Sequence, residues 1–247
     1  MKIISLDTET TGLEEKKKSI VELGLITAEF DGDTIGLIDG CLLFGSELKI
    51  IQERFKPREP ISFAAMGVHH ITEKDVADCD DISKRADVFA EYLNSADYVL
   101  GHNLPFDMEV IEREIICGRY DEEKKIDTLR LAKHAWNLPG YKLASLRYRF
   151  DLSVLSGGDQ HSAAFDAYLA LQLAVEAALE MDIEGWKELY EKSISPLTIK
   201  IMYFGKHRGK EIKDMMVNEK GYIQWILKQP WLPVEHPDLL NTIKKLR

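Results

Sequence analysis

Lys2–Leu6 (KIISL) is an apolar, β-branched run that leads straight into Asp7 and Glu9, and it constrains the chain more than any other stretch. It reads as a short buried strand that ends in acid. Side chains alternate along a strand, so two acids two residues apart leave it on one face. Like charges held side by side repel, and they stay ionised in a fold only with positive charge between them. A divalent cation held by oxygen ligands is one answer. A solvated turn, TETTGLEE, with no ligand is the other.

The rest of the chain must enclose that strand. Ile20–Phe30 (IVELGLITAEF) predicts a second strand, Asp31-Gly32-Asp33 a turn that doubles the chain back as a hairpin, and Ile50–Phe55 a third strand closed by Pro57 and Pro60. Residues 62–77 predict short helical turns, and Ile82–Ala96 an amphipathic helix with Ile82, Ala86, Phe89, Ala90 and Leu93 on its stripe. Tyr98–Gly101 and Lys125–Asp127 read as short strands. Pro105 opens a helix through Cys117, as proline favours at a helix start, and Asp127 or Thr128 caps a helix to Trp136. Leu143–Phe150 and His161–Met181 complete the helices, around a loop holding Gly157-Gly158. Strands first, then strands mixed with helices, predict an α/β fold with a mixed sheet covered by helices.

Composition sets the outer bounds. The chain has 247 residues and is 45% hydrophobic and 30% charged, as in globular proteins. No apolar run reaches the roughly 20 residues that span a bilayer. No export signal is visible at the N-terminus, so the expected location is the cytoplasm, without a membrane partner. Cys41, Cys79 and Cys117 are odd in number and form no C-x-x-C pair, which fits reduced thiols. The net charge of −10 hides an asymmetry. Ser193–Arg247 carries ten Lys/Arg and five Asp/Glu, net +5, which leaves 22 basic and 37 acidic residues, net −15, in the preceding 192. Two domains are expected, 1–192 and a basic α+β module at 197–247, joined through Ser193–Leu197 (SISPL). In the module, Ile199–Phe204 reads as a strand, followed by helices near 212–217, 221–229 and 237–247.

Two more acids stand out. Asp107 falls in the first turn of its helix after Gly101-His102-Asn103-Leu104-Pro105-Phe106, where it suits either the helix dipole or a site. Asp166 follows His161 by five residues, and it suits either a solvated first turn or a site. Lys16, Lys17 and Lys18 read as a solvated basic run, with phosphate contact as the lesser reading.

The blocks DTETTGL, GHNLPFD and HSAAFD, in that order, resemble the DEDDh branch of the DnaQ-like 3′–5′ exonucleases. IVELGLI, KPREPISFAAMGVHHIT and IDTLRLAK are similar to the segments that connect those blocks, so the resemblance spans about residues 1–180. FGKHRGK followed by GYIQWIL resembles the tail of exonuclease X-type nucleases. The stretch from Asp31 to Lys49 departs from the pattern as a longer hairpin.

The resemblance implies a ribonuclease H-like sandwich and a metal-dependent nuclease that releases nucleoside 5′-monophosphates from a 3′ end. It implies two divalent ions, Mg2+ or Mn2+, with Asp7 bridging both, Glu9 and Asp166 completing one and Asp107 the other. His161 would take the proton of the attacking water, a role suited to an imidazole near neutrality. The substrate would meet Thr10, Thr11 and Gly12 through N–H groups and hydroxyls, Asn103, and one of His69 and His70. Leu13 is either a wedge against the terminal base or a core staple. DNA is favoured as partner by the tail's likeness. An RNA-trimming enzyme, a non-catalytic nucleic-acid adaptor and a homodimer stay open. In the tail, Lys206, Arg208 and Lys210, with Lys213 nearby, alternate with Tyr203, Tyr222 and Trp225, a pattern suited to single strands. Tyr222, Trp225 and Trp231 also suit the core of a small module, and for the tryptophans that is the expected place.

Overall fold

A computed structural model describes residues 1–14, 18–35, 37–38, 41–42, 48–116, 124–152 and 162–247. The chain divides into two compact units, Met1–Ile194 and Ser195–Arg247. Among the described residues no helix is long and apolar enough to cross a membrane. Cys79 is a free thiol, and Cys117 and the Gly157-Gly158 loop lie outside the described residues.

In the first unit, β1 (Lys2–Thr10) is the middle strand of a five-stranded sheet, with β2 (Ile20–Glu29) and β5 (Lys49–Arg54) on one side and β6 (Tyr98–Gly101) and β7 (Lys125–Asp127) on the other. β2 is antiparallel to β1 and to β5, whereas β6 runs parallel to β1 and β7 to β6. A two-stranded pair, β3 (Leu37–Ile38) and β4 (Cys41–Leu42), lies in the excursion between β2 and β5. The turn at Asp31–Asp33 therefore does not close a tight hairpin; β5 makes the return.

The sheet is buried on both faces, which is why its strands read as continuous apolar runs. On one face Ile3, Ile26, Leu100 and Ile126 pack against α6 (Ala163–Glu180) and Trp186 of α7 (Trp186–Ile194). On the other, Ile4, Leu6, Leu25 and Val99 pack against α2 (Ala86–Asn94) and α3 (Pro105–Ile111). α6 is apolar around most of its circumference, as expected of a helix enclosed on all sides. Its alanines, among them Ala164, Ala167, Ala170 and Ala174, bring its backbone close to the sheet.

Several expectations are corrected. β1 does not end at Leu6; it runs to Thr10, so Asp7 and Glu9 sit inside a central strand. The helix expected over Ile82–Ala96 is a 3-10 turn, Ile82–Lys84, then α2, with Arg85 between them at φ −117°. The helix from Pro105 changes to π geometry over Glu112–Ile116. α6 begins at Ala163 behind its cap Ser162, so His161 precedes the helix and is outside the described residues. Lys18 is not solvated. It is 2% exposed, its ammonium pairs with Glu109 at 2.9 Å and donates to the Phe106 carbonyl, and it lies 3.5 Å from the Phe106 ring centroid. Burial of a lysine requires such partners.

α1 (Phe63–His69), α4 (Thr128–Ala135) and α5 (Leu143–Arg149) complete the first unit. Ser62 caps α1, and Asp127 caps α4 by accepting from Leu129 N while also accepting from Asn103 N.

The second unit is helical: α8 (Ile212–Asn218), α9 (Lys220–Ile226), α10 (Leu232–Glu235) and α11 (Pro237–Lys245) enclose Met202, Met215, Ile226, Leu239 and Ile243. The strand expected over Ile199–Phe204 is replaced by a single bridge, Ile201 with Glu211. Its N–H groups divide between a side chain and the backbone: Ile199 N donates to Thr242 Oγ1 and Met202 N to Lys210 O, and just before the segment Leu197 N donates to Asp238 Oδ1.

Candidate active site

Ile3, Ser5, Asp7 and Glu9 alternate onto the α6 face of β1. Two features bring the start of α6 down onto that face. Gly24 is paired with Asp7 across the ladder, and a Cβ there would lie 2.1 Å from Ala164 N and 2.2 Å from Ala163 C. Glu22, paired with Glu9, accepts from Ala163 N at 2.9 Å and from Arg54 Nε at 2.8 Å. Ser5 Oγ fixes the next turn by donating to Ala167 O at 2.6 Å. Asp166, in the first turn of α6, is thereby set against β1. Asp7, Glu9 and Asp166 each offer a carboxylate oxygen within 4.8 Å of the others.

Asp107 arrives from the opposite layer, in the first turn of α3. It is 3% exposed and accepts from both Thr8 N, at 2.9 Å, and Thr8 Oγ1, at 2.6 Å. The strand that carries Asp7 and Glu9 on one face thus holds Asp107 through the intervening residue.

These acids disfavour one another's charge. Burial first, then the charges of Asp107, Asp166, Glu9 and Glu22, push Asp7 well above the usual carboxylate range. Burial, with Asp166, Glu22 and Asp107, pushes Glu9 up to about 8. Burial raises Asp107 to about 7 against the opposing pull of the Thr8 hydrogen bonds and Lys18. Closely spaced oxygen donors under mutual repulsion, at the carboxyl end of parallel strands, fit a divalent cation.

A pH dependence follows. Unfolded carboxyls ionise near pH 4, whereas Glu9 and Asp107 in the fold keep their protons up to about 8 and 7. The folded state then binds more protons than the unfolded state across that window, so stability falls as pH rises. The metal-free protein's thermal midpoint is expected to decline from about pH 5 to about pH 9. Magnesium should raise it most at the alkaline end. A midpoint that climbs with pH would contradict this cluster.

Beside Glu9 lies a cleft of about 430 Å3 with largely apolar walls, where Thr10, Gly12, Leu13, Val68, His69 and Phe106 meet. Leu13 is 83% exposed at this cleft and is no core staple. His69 lines the cleft, nearly buried, with Nδ1 accepting from Ile71 N, and burial lowers its pKa. His70 is an exposed αL cap at φ 60° that closes α1. The structure thus separates the two histidines that the sequence left equivalent.

The expected offer of Thr10 and Thr11 hydroxyls and N–H groups is corrected in part. Thr11 faces into the fold, its N donating to Ser19 O and its hydroxyl accepting from Ser19 N. The Thr10 hydroxyl donates to Gly12 O. Asn103 is exposed at φ 66°. Sequence reasoning missed Glu22 and Gly24. An acid and a glycine inside IVELGLI, where a buried strand favours neither, were the available signal.

An exonuclease family model of the RNase T type matches residues 4–174. Exodeoxyribonuclease 10 of Escherichia coli (strain K12) is 29% identical over an alignment of 248 positions that covers 97% of this chain and 96% of that protein. DNA polymerase III subunit epsilon of Rickettsia felis is 29% identical over 180 residues, 70% of this chain and 72% of that one. Among solved structures, exonuclease X in complex with 5′-overhanging duplex DNA covers 77% of this chain and 99% of its own, with a TM-score of 0.57 and 24% identity. E. coli exonuclease I in complex with a dT13 oligonucleotide covers 73% and 42%, with a TM-score of 0.58 and 17% identity. The mixed five-stranded sheet flanked by helices is the ribonuclease H-like fold of these nucleases.

Proposed function

Since the chain belongs to the exonuclease family of the RNase T type, we propose that it is a metal-dependent 3′–5′ exonuclease that removes nucleoside 5′-monophosphates from DNA. The observation that carries the reading is the convergence of Asp7, Glu9 and Asp166 within 4.8 Å, with Asp107 fixed behind them by Thr8. Asp7, Glu9, Asp166 and Asp107 would hold two divalent ions, magnesium or manganese. Bound there, the ions supply an acidified water and offset the charge that grows on the phosphoryl group and the leaving 3′-oxygen.

The chain's own residues do the rest. The cleft beside Glu9 receives the terminal base between apolar walls, with Leu13 and His69 on its sides, and so sets the scissile phosphate over the acids. Positioning of this kind contributes several powers of ten in rate. His161, one residue ahead of the α6 cap, takes the water's proton. DNA is preferred to RNA because the exodeoxyribonuclease relative matches nearly the whole chain, tail included.

Two experiments test this. Single- and double-stranded DNA and RNA, labelled at the 3′ or the 5′ end, should be followed over time with magnesium or with chelator. Stepwise shortening of 5′-labelled DNA that stops in chelator is expected. Internal cleavage, or shortening of RNA alone, would overturn the proposal. Separately, His161→Gln should lower turnover by roughly two to four powers of ten while leaving magnesium binding intact, because the acids are untouched. Loss of metal binding with the imidazole would make His161 a ligand.

A further inference from the structure

The second unit has a cleft of its own, about 720 Å3, between the Phe204–Lys206 segment and the start of α9. Four of its lining residues are aromatic: Phe204, Tyr222, Trp225 and Trp231. Phe204, Tyr222 and Trp231 also pack against the unit's core, as the core reading of Tyr222 and Trp231 expects. Trp225 differs. It is 51% exposed, and its ring stands 5.4 Å from that of Tyr222. A half-exposed indole at a cleft is a place where a planar apolar ligand would be covered.

Charge narrows the ligand. Lys206 and Lys220 line the same cleft, and Lys206 Nζ lies 5.4 Å from the Tyr222 ring centroid. The acid there, Glu219, is paired with Lys210 at 2.7 Å, which leaves the lining net positive. The backbone is open as well: Gly221 has nothing within 4 Å of the position a Cβ would take. Aromatic faces interleaved with cations, in a unit of net +5, match a base with its flanking phosphates.

We propose that this cleft binds one unpaired base of single-stranded DNA, stacked on Trp225 and Tyr222, with its phosphates against Lys206 and Lys220. The proposal rests on the reading of the chain as a DNA exonuclease. A paired base has both faces occupied, so the site selects single strands.

The test uses the full chain in chelator, so that strands survive, with labelled oligo-dT of about 15 nucleotides and a blunt duplex of equal length. Trp225→Ala should weaken oligo-dT binding about tenfold, and Trp225→Phe should restore most of it. Duplex binding should not change. Lys206→Gln with Lys220→Gln should make the logarithmic salt slope shallower by about 1.4, two phosphate contacts at about 0.7 each. Should Trp225→Ala melt early, the lysine pair carries the test. Oligo-dT affinity and salt slope equal to wild type would overturn the cleft while leaving magnesium-dependent nucleotide release intact. Absence of any release, with the Trp225 and lysine effects present, would overturn the nuclease reading alone.

Discussion

Asp7→Asn is expected to abolish nucleotide release, by about a thousandfold or more, and to raise the thermal midpoint of the metal-free protein. The two effects have one cause. Asp7 is repelled by Asp107, Asp166, Glu9 and Glu22 at once. An amide of the same shape removes that repulsion and also removes a ligand. Electrostatic stabilisation by bound metal supplies several kcal/mol to such a reaction, and each 1.36 kcal/mol is tenfold in rate. Relief of about 1 kcal/mol in a chain of this size lifts the midpoint by roughly 2–4 °C. The gain should be largest near pH 9, where the remaining acids are ionised, so the variant's midpoint should depend on pH less steeply than wild type. Asp166→Asn should behave in the same direction. Near-wild-type turnover in either variant would remove Asp7 or Asp166 from the site. A midpoint lower than wild type at alkaline pH would show that the carboxylate stabilises the metal-free fold.

How much of this was legible in the sequence depended on whether a residue's environment is local. Runs such as IVELGLITAE announce a strand because burial on both faces demands apolar, β-branched residues along the whole length. The shared face of Asp7 and Glu9 followed from spacing alone. The end of β1 did not, because DTET is polar and is kept in the sheet by its pairing with β2, including Glu9 opposite Glu22. Asp107 and Asp166 lie 59 residues apart in sequence. No spacing rule joins residues that distant; the resemblance of the three blocks did, and tertiary packing explains it. Lys18 was misread for the converse reason. A lysine in a basic run reads as solvated, and only the fold supplies Glu109 and the Phe106 carbonyl. The false strand at Ile199–Phe204 was an apolar run whose first N–H, on Ile199, finds Thr242 in a helix 43 residues later, while Met202 N reaches the Lys210 carbonyl.

Gly24→Ala should be among the most damaging single-atom changes in the chain, although Gly24 carries no functional group. The added Cβ would stand 2.1 Å from Ala164 N, 2.2 Å from Ala163 C and 2.5 Å from Ala163 O. These are backbone atoms in the first turn of α6, so no side chain can rotate away. The helix must retreat by about 1 Å or more to restore contact at 3.5–4 Å. Retreat lengthens the bonds from Ala163 N to Glu22 and from Ser5 to Ala167 O, both buried. Overpacking costs about 1–3 kcal/mol and each weakened buried bond about 1 more, together roughly 3–5 kcal/mol. For this chain length that is a fall of about 6–20 °C in the midpoint. Asp166 rides on the same turn, so the folded fraction should also lose turnover by about a hundredfold, the cost of an ångström's misplacement. Gly67, inside α1 with nothing within 4 Å of its Cβ position, supplies the control. Gly67→Ala should be neutral or stabilising by up to about 1 kcal/mol, since alanine favours a helix over glycine. Thermal melts of both variants, with turnover measured well below either midpoint, separate folding from placement. Were Gly24→Ala to melt with wild type and keep its turnover, α6 would not be seated on β2 at this glycine, and another contact would have to set the position of Asp166.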